Sequence, residues 1–307
     1  MKIINDALHA QCFPPLAATI GCFDGMHRGH ACLISQVCGI AEELGLESGL
    51  ITFPVHPRQV MQTGYRPELL TCLAQKVELM QSSGADWCIL LPFTHELSLL
   101  SAREFMTLMR DRFCVRALVV GYDHRFGHNR SEGVEDYMRY GEELGIRVFR
   151  ADALTEDGVS VSSSVIRRLL KEGDVAAANR FLGYRYYLNG IVEGGYRVGR
   201  TLGFPTANLR PSCSEKLIPA LGVYAVYAYI DGKRFAAMLN IGCRPTFTNC
   251  GVITIEVNIL DFSGDIYDRQ LRVELVERLR PERKFASADA LVRQIAEDKL
   301  RTEHLLG

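Results

Sequence analysis

The 307-residue sequence has no excess of charge of either sign: 35 Lys+Arg stand against 36 Asp+Glu, a net charge of −1. Nothing in that balance favours a nucleic-acid backbone or an anionic membrane as partner. Long apolar runs are also missing. The longest, Leu221 to Ile230, is about half of the ~20 residues a membrane helix needs. The first residues, Met1 to Leu16, hold no apolar leader core, so a secretory signal is not expected. The 10 cysteines include no CxxC pair, and many sit singly in apolar runs such as Trp87-Cys88-Ile89-Leu90. Reduced thiols used as small hydrophobes fit this better than a disulfide framework. No internal repeat and no low-complexity linker is visible. These absences predict a soluble, cytoplasmic protein without nucleic-acid or membrane partners.

What is present is an ordinary globular composition, 48% hydrophobic and 23% charged. The length suggests two domains at roughly 150 residues each. Apolar runs at Ala17–Cys22, Gly49–Phe53, Trp87–Leu91, Ala117–Gly121 and Ile146–Phe149 alternate with helical patterns from His30, around Lys76, from Ala102 and from Tyr137. That rhythm predicts βαβ units and a mostly parallel sheet. Two more helical patterns follow, Ser163–Lys171 and Val175–Leu182. After Gly183 the period changes. Strand-like stretches at Tyr186–Val192, Val223–Ile230, Phe235–Ile241, Ile253–Leu260 and Leu271–Leu279 predict a small antiparallel barrel or sandwich. Asp231-Gly232 reads as a hairpin turn. A last helix starts after Ser287, with Leu291 and Ile295 on one face. The expected domains are 1–183 and 184–307.

The run Thr19-Ile20-Gly21-Cys22-Phe23-Asp24-Gly25-Met26-His27-Arg28-Gly29-His30 ends the first long strand and opens the first helix. Its glycines allow close backbone approach to a ligand. The helix N-terminus offers unpaired N–H groups suited to phosphate. His27 and His30 are three residues apart, so both can face that ligand. The spacing is not GxGxxG, and HExxH is absent, so neither a dinucleotide fingerprint nor a zinc-protease site is indicated.

This run resembles the HxGH signature of the nucleotidyltransferase superfamily. Further runs narrow the resemblance. Phe53-Pro54-Val55-His56-Pro57-Arg58, Val119 to Gly127 (which holds Asp123 and His124) and Val161 to Arg167 are similar to motifs of bacterial bifunctional riboflavin kinase/FMN adenylyltransferases, the FAD synthetases. The resemblance implies a Rossmann-like nucleotidyltransferase domain in which Gly21, Phe23, Asp24, Gly29 and Asp123 bind nucleotide. Ser163 and Ser164 would donate to ATP phosphates, and Arg167 would join His27 and His30 in catalysis.

Downstream, Gly194 to Thr201 nearly matches the P-loop pattern GxxxxGK[ST], but Arg200 replaces the lysine and Pro205 falls where the helix should run. The P-loop reading is rejected. Gly199-Arg200-Thr201-Leu202-Gly203-Phe204-Pro205-Thr206-Ala207-Asn208 instead resembles the riboflavin kinase signature GRxLGFPTAN. It implies a barrel of riboflavin kinase type, with Gly199, Arg200, Gly203, Pro205 and Thr206 at the nucleotide. Thr206 and Asn208 would hold Mg²⁺, as hard oxygen donors do. Glu256 falls at the family's catalytic glutamate, where a carboxylate can take a hydroxyl proton.

The similarity spans essentially the whole chain and implies ATP, riboflavin and FMN as substrates. Departures are local: Cys22 for a common Asn, His124 for Phe, Ser164 for Thr, Asn258 for His and Asp268 for Gly. A single-activity riboflavin kinase with a degraded first domain, and a non-catalytic flavin-binding regulator, are the alternatives. Retention of His27, His30, Thr206, Asn208 and Glu256 argues against both.

Overall fold

The computed structural model describes residues 1–5, 12–62, 64–122, 124–128, 131–156, 158–194, 204–244 (without the Arg244 side chain) and 252–307. The expected site residues Asp123, Gly199, Arg200 and Gly203 lie outside the described residues. The chain divides into two compact units, Met1–Ser163 and Ser164–Gly307.

The first unit runs β1 (Lys2–Ile4), β2 (Leu16–Gly21), α1 (Arg28–Leu44), β3 (Glu47–Thr52), α2 (Pro57–Met61), α3 (Leu73–Gln81), β4 (Trp87–Leu90), α4 (His95–Leu99), α5 (Ala102–Phe113), β5 (Val115–Val120), α6 (Val134–Leu144) and β6 (Arg147–Arg150). A short hairpin of β7 (Thr155–Glu156) and β8 (Val159–Ser160) follows. The main sheet is parallel throughout, in the order β1-β4-β3-β2-β5-β6. Its inner strands β2 to β5 are buried on both faces, which is why they read as unbroken apolar runs rather than alternating ones.

From β2 the chain proceeds outward through β3 and β4, then crosses back to β5 on the other side of β2. Connections therefore diverge between β2 and β5, and a ligand is expected beyond the C-terminal ends of these strands.

Local chemistry sets the helix ends. At α5, Ser101 Oγ accepts from Glu104 N while Glu104 Oε2 accepts from Ser101 N, a reciprocal cap. Gly45 closes α1 in the left-handed conformation at φ 63°.

The second unit begins with α7 (Ser163–Glu172, its first residue still in the first unit) and α8 (Val175–Leu182). Next come β9 (Tyr187–Glu193), β10 (Ala207–Pro211), β11 (Gly222–Ile230), β12 (Lys233–Arg244), β13 (Val252–Ile259), β14 (Gln270–Pro281) and α9 (Ala288–Leu306). The six strands close an antiparallel barrel in the order β10-β13-β12-β11-β14-β9. Closure leaves no unpaired sheet edge. Asp231 and Gly232 turn β11 into β12 at φ 49° and 77°, as a two-residue hairpin requires. Ser287 caps α9 by accepting from Ala290 N. That helix covers the barrel wall with Leu306 on Val223, Ala225 and Leu279, and with Asp298 paired to Arg280 at 2.9 Å.

The two helices read as closing the first domain are bonded to this barrel. Asn179 Nδ2 donates to Leu275 O at 2.9 Å, Asn179 Oδ1 accepts from Tyr186 N at 2.7 Å, and Ala220 N donates to Leu170 O at 3.0 Å. The sequence period alone separates helices from strands. It does not say which neighbour a helix packs on. Among the described residues no helix is long and apolar enough to cross a membrane.

Candidate active sites in the two units

The turn after β2 is under backbone strain. Phe23, Gly25 and Met26 all have positive φ, at 49°, 84° and 38°. Two of the three are not glycine, and both side chains are buried. Left-handed backbone at such residues costs about 1–3 kcal/mol each and is kept where the surroundings enforce it.

Asp24 is the enforcer. Its carboxylate accepts from Leu70 N at 3.1 Å and from Thr71 N at 2.9 Å. Thr71 Oγ1 in turn accepts from Gly25 N at 2.9 Å. The Asp24 carboxylate oxygens hold the turn against the segment before α3.

The strained turn delivers His27 to the N-cap of α1. His27 Nδ1 accepts from His30 N at 3.3 Å, so that nitrogen is unprotonated and Nε2 carries the proton. The two rings stack with centroids 3.6 Å apart and planes within 17°. Phe23 meets His30 edge-on at 5.2 Å, and the Gly21 position lies 3.3 Å from the Phe23 ring for any added Cβ. Gly29 is required by close approach. A Cβ there would sit 3.0 Å from Val161 O and 3.1 Å from His27 Nδ1.

Burial, with the neighbouring His27, Lys76 and His124, holds the His30 imidazole well below the usual histidine range. Its Nδ1 is a buried polar atom without a hydrogen-bond partner among the described residues. A neutral, partly unsatisfied imidazole beside a helix N-terminus is arranged to gain from an incoming anion.

Ser163 opens α7, but its hydroxyl donates to Asp24 O at 2.9 Å. That bond ties the helix start to the turn. Ser164 and Arg167 follow on the same helix, Arg167 about one turn beyond Ser163.

Two further residues face the site: Lys76, which no motif connected to it, and His124 of the Val119–Gly127 motif. Lys76 reaches in from α3, and His124 reaches in from the segment after β5. A cavity of about 370 Å³ is lined by Tyr122, His124, Arg125, Gly133, Asp136 and Arg150.

In the barrel, Pro205 and Thr206 lead into β10, which carries Asn208. Strand register places Asn208 directly opposite Glu256 of β13 on one side and Glu193 of β9 on the other. Glu256 is opposite Asn240 of β12. Directly paired residues point to the same face, so Asn240, Glu256, Asn208 and Glu193 form one polar row across four strands. The alternate positions Ala207, Val257 and Leu239 lie on the opposite face. Asn258 Nδ2 donates to Pro205 O at 2.7 Å, which fixes the segment leading into Thr206. Beside it is a cavity of about 560 Å³ lined by Pro205, Thr206, Phe262, Asp265 and Tyr267 among others.

A parallel α/β sheet with a paired-histidine turn at its divergence point, joined in one chain to a closed barrel with a PTAN strand, defines a two-unit phosphate- and nucleotide-transferring enzyme. Residues 10–165 match the FAD synthetase family model and residues 182–306 match the riboflavin kinase model. The bifunctional riboflavin kinase/FMN adenylyltransferase of Pseudomonas fluorescens is 37% identical over 92% of this chain and 90% of its own. Its Escherichia coli K12 counterpart is 33% identical over 94% and 92%. A crystal structure from Streptococcus pneumoniae, described as a macrolide-efflux protein, superposes with a TM-score of 0.89 at 29% identity over 98% of both chains. The chain belongs to the bifunctional riboflavin kinase/FMN adenylyltransferase family.

Proposed function

We propose that the chain makes FAD in two steps, with the work divided at Gly183. Residues 184–307 would transfer the γ-phosphoryl group of ATP to riboflavin, giving FMN and ADP. Residues 1–183 would join AMP from a second ATP to FMN, giving FAD and diphosphate. The observation that carries this reading is the meeting of motifs remote in sequence: Asn208 of PTAN stands directly opposite Glu256 across two strands.

In the first step Glu256 takes the proton of the ribityl hydroxyl as its oxygen attacks the γ-phosphorus. Thr206 and Asn208 fit Mg²⁺ by donor chemistry, a hydroxyl and an amide carbonyl two residues apart, with carboxylates at neighbouring register positions. No group of three or more His, Cys, Asp or Glu among the described residues forms a metal cage. A magnesium ion bound mostly through phosphates and water needs none. When bound, the ion would offset phosphate charge. Phe262 beside Thr206 offers an aromatic wall to the base of ATP.

In the second step the phosphate oxygen of FMN attacks the α-phosphorus and diphosphate leaves. FMN is already an anionic nucleophile, so the site needs positioning and positive charge rather than a base. His27 Nε2–H, His30 and the α1 N-terminus supply these.

We assign the activity to the cytoplasm, with small molecules as its partners and neither nucleic acid nor membrane. The balanced net charge supports the absence of nucleic-acid and membrane partners, and the cysteines without a CxxC pair support a reducing compartment.

One incubation with riboflavin and Mg–ATP, resolved by chromatography, tests the function: FAD is expected. FMN alone would favour a single-activity kinase, and no conversion a binding protein. Excess chelator should stop both steps, and added Mg²⁺ should restore them.

The division is tested with fragments. A 184–307 fragment should fold and bind flavin, yet unfold at lower urea than 164–307. It lacks the Asn179 bonds to Leu275 and Tyr186, each worth about 1 kcal/mol. An insoluble 184–307 fragment beside a soluble 164–307 one would move the boundary to Ser163.

A further inference from the structure

Lys76 is a buried cation that no motif explains. It projects from α3, and only 7% of its surface is exposed. Its Nζ donates to Cys22 O at 3.2 Å, Thr52 Oγ1 at 3.1 Å and Phe53 O at 2.7 Å. The Thr52 hydroxyl directs its own proton to Cys22 O at 3.4 Å. All three contacts therefore need an N–H donor, and three donors mean an ammonium rather than an amine.

Its acceptors lie just past β2 and at the end of β3, at the C-terminal edge of the sheet. They are all neutral. A buried cation with neutral hydrogen-bond partners keeps most of its field, and low local polarity carries that field further than water would.

We propose that Lys76 is a positioning residue for adenylyl transfer: it ties the ends of β2 and β3 beneath the paired-histidine turn and supplies a fixed positive charge there, which the polyphosphate of ATP and the departing diphosphate neutralise. This rests on the reading of that turn as the polyphosphate site.

The surroundings agree. His30 is faced by His27 from the N-cap, Lys76 from α3 and His124 from the segment after β5, all three opposing its protonation. Lys76 is faced by Asp24, Cys22 and Cys88, which favour its charge, while burial opposes it. Lys76 thus helps keep His30 neutral in the free site. An anion brought between them reverses the balance for His30.

The test uses the full chain. Lys76→Gln removes the charge but keeps two donors, and Lys76→Arg keeps the charge. FMN-to-FAD and riboflavin-to-FMN rates are measured separately, and the His30 imidazole is titrated by NMR with and without inorganic diphosphate. Lys76→Gln should cut kcat for FAD formation by ~10²-fold, in line with loss of a charge-stabilising donor. Riboflavin phosphorylation should be unchanged, and the His30 midpoint in the free protein should rise. Lys76→Arg should restore the low midpoint and most of the rate. An unmoved His30 midpoint, whether or not the rate falls, overturns the proposal, because a purely structural lysine would leave it unmoved. If the glutamine variant does not fold, Lys76→Met is read by the same two measurements. His30→Ala is the control. If it still makes FAD at full rate, the polyphosphate reading of the turn fails. If it does not, while Lys76→Gln is normal in rate and midpoint, only the inference about Lys76 fails.

Discussion

Replacing Glu256 by Gln is expected to slow riboflavin phosphorylation by about 10²–10⁴-fold, the usual cost of losing a positioned base. Glutamine keeps the side-chain length and can still hydrogen-bond beside Asn208 and Asn240, its register partners on β10 and β12. What it cannot do is accept the ribityl proton as the phosphoryl group transfers. The effect should lie in kcat, with the KM values for riboflavin and ATP little changed. Adenylation of supplied FMN should run at the wild-type rate, because the paired histidines proposed to serve it, His27 and His30, belong to the other fold unit. The measurement is two initial-rate assays on one protein preparation, one started with riboflavin and one with FMN. Equal slowing of both would remove Glu256 from the kinase chemistry and point to a folding defect.

The row that contains Glu256 shows where sequence reading reaches its limit. β11, β12, β13 and β14 are long, apolar and bounded by turns, and each is legible as a strand. β10 is not. Ala207-Asn208-Leu209-Arg210-Pro211 has little strand preference and ends in proline. It is a strand because β9 and β13 pair with it on both sides. PTAN carries no strand signal of its own, and the pairing of Asn208 with Glu256 follows only from register. Lys76 was hidden for a similar reason. On a helical pattern a lysine reads as a solvated position. Only the packing of α3 against the ends of β2 and β3 buries it. Asp24 was the opposite case. It lies inside a motif, and its oxygens also answer backbone N–H groups 46 and 47 residues away, a structural role that local spacing does not show. By contrast, the strand–turn–helix carrying His27 and His30 is a local arrangement, and local spacing was enough to bring the two imidazoles together.

That local arrangement carries the complementary expectation. His27→Ala and His30→Ala should each reduce FAD formation from FMN by ~10²–10³-fold, the cost of one preorganised charge-stabilising donor. Riboflavin should then be converted to FMN and accumulate there. The two variants should differ in cause. His27 also caps α1 through His30 N, so its loss removes the cap, worth ~1 kcal/mol, as well as a donor. His30 caps nothing, so its loss leaves the α1 cap in place and removes only the ring's packing against His27 and Phe23 along with its role in the reaction.

The pH behaviour separates them further. His30 is held below the usual value of ~6.5, chiefly by burial and then by the nearby His27, Lys76 and His124. The unfolded chain therefore binds a proton that the folded chain refuses as pH falls below ~6.5, and this opposes folding on the acid side. His30→Ala should flatten that acid limb of stability. In the wild-type protein, an anion bound against His30 raises its pKa. Diphosphate binding should take up protons at pH values between the free and bound midpoints. Titration calorimetry in buffers of different ionisation enthalpy reads that uptake directly, and His30→Ala should abolish it. Proton uptake that survives in His30→Ala would place the responding imidazole at His27 or His124 instead, and would move the centre of charge stabilisation away from the helix that begins at Arg28.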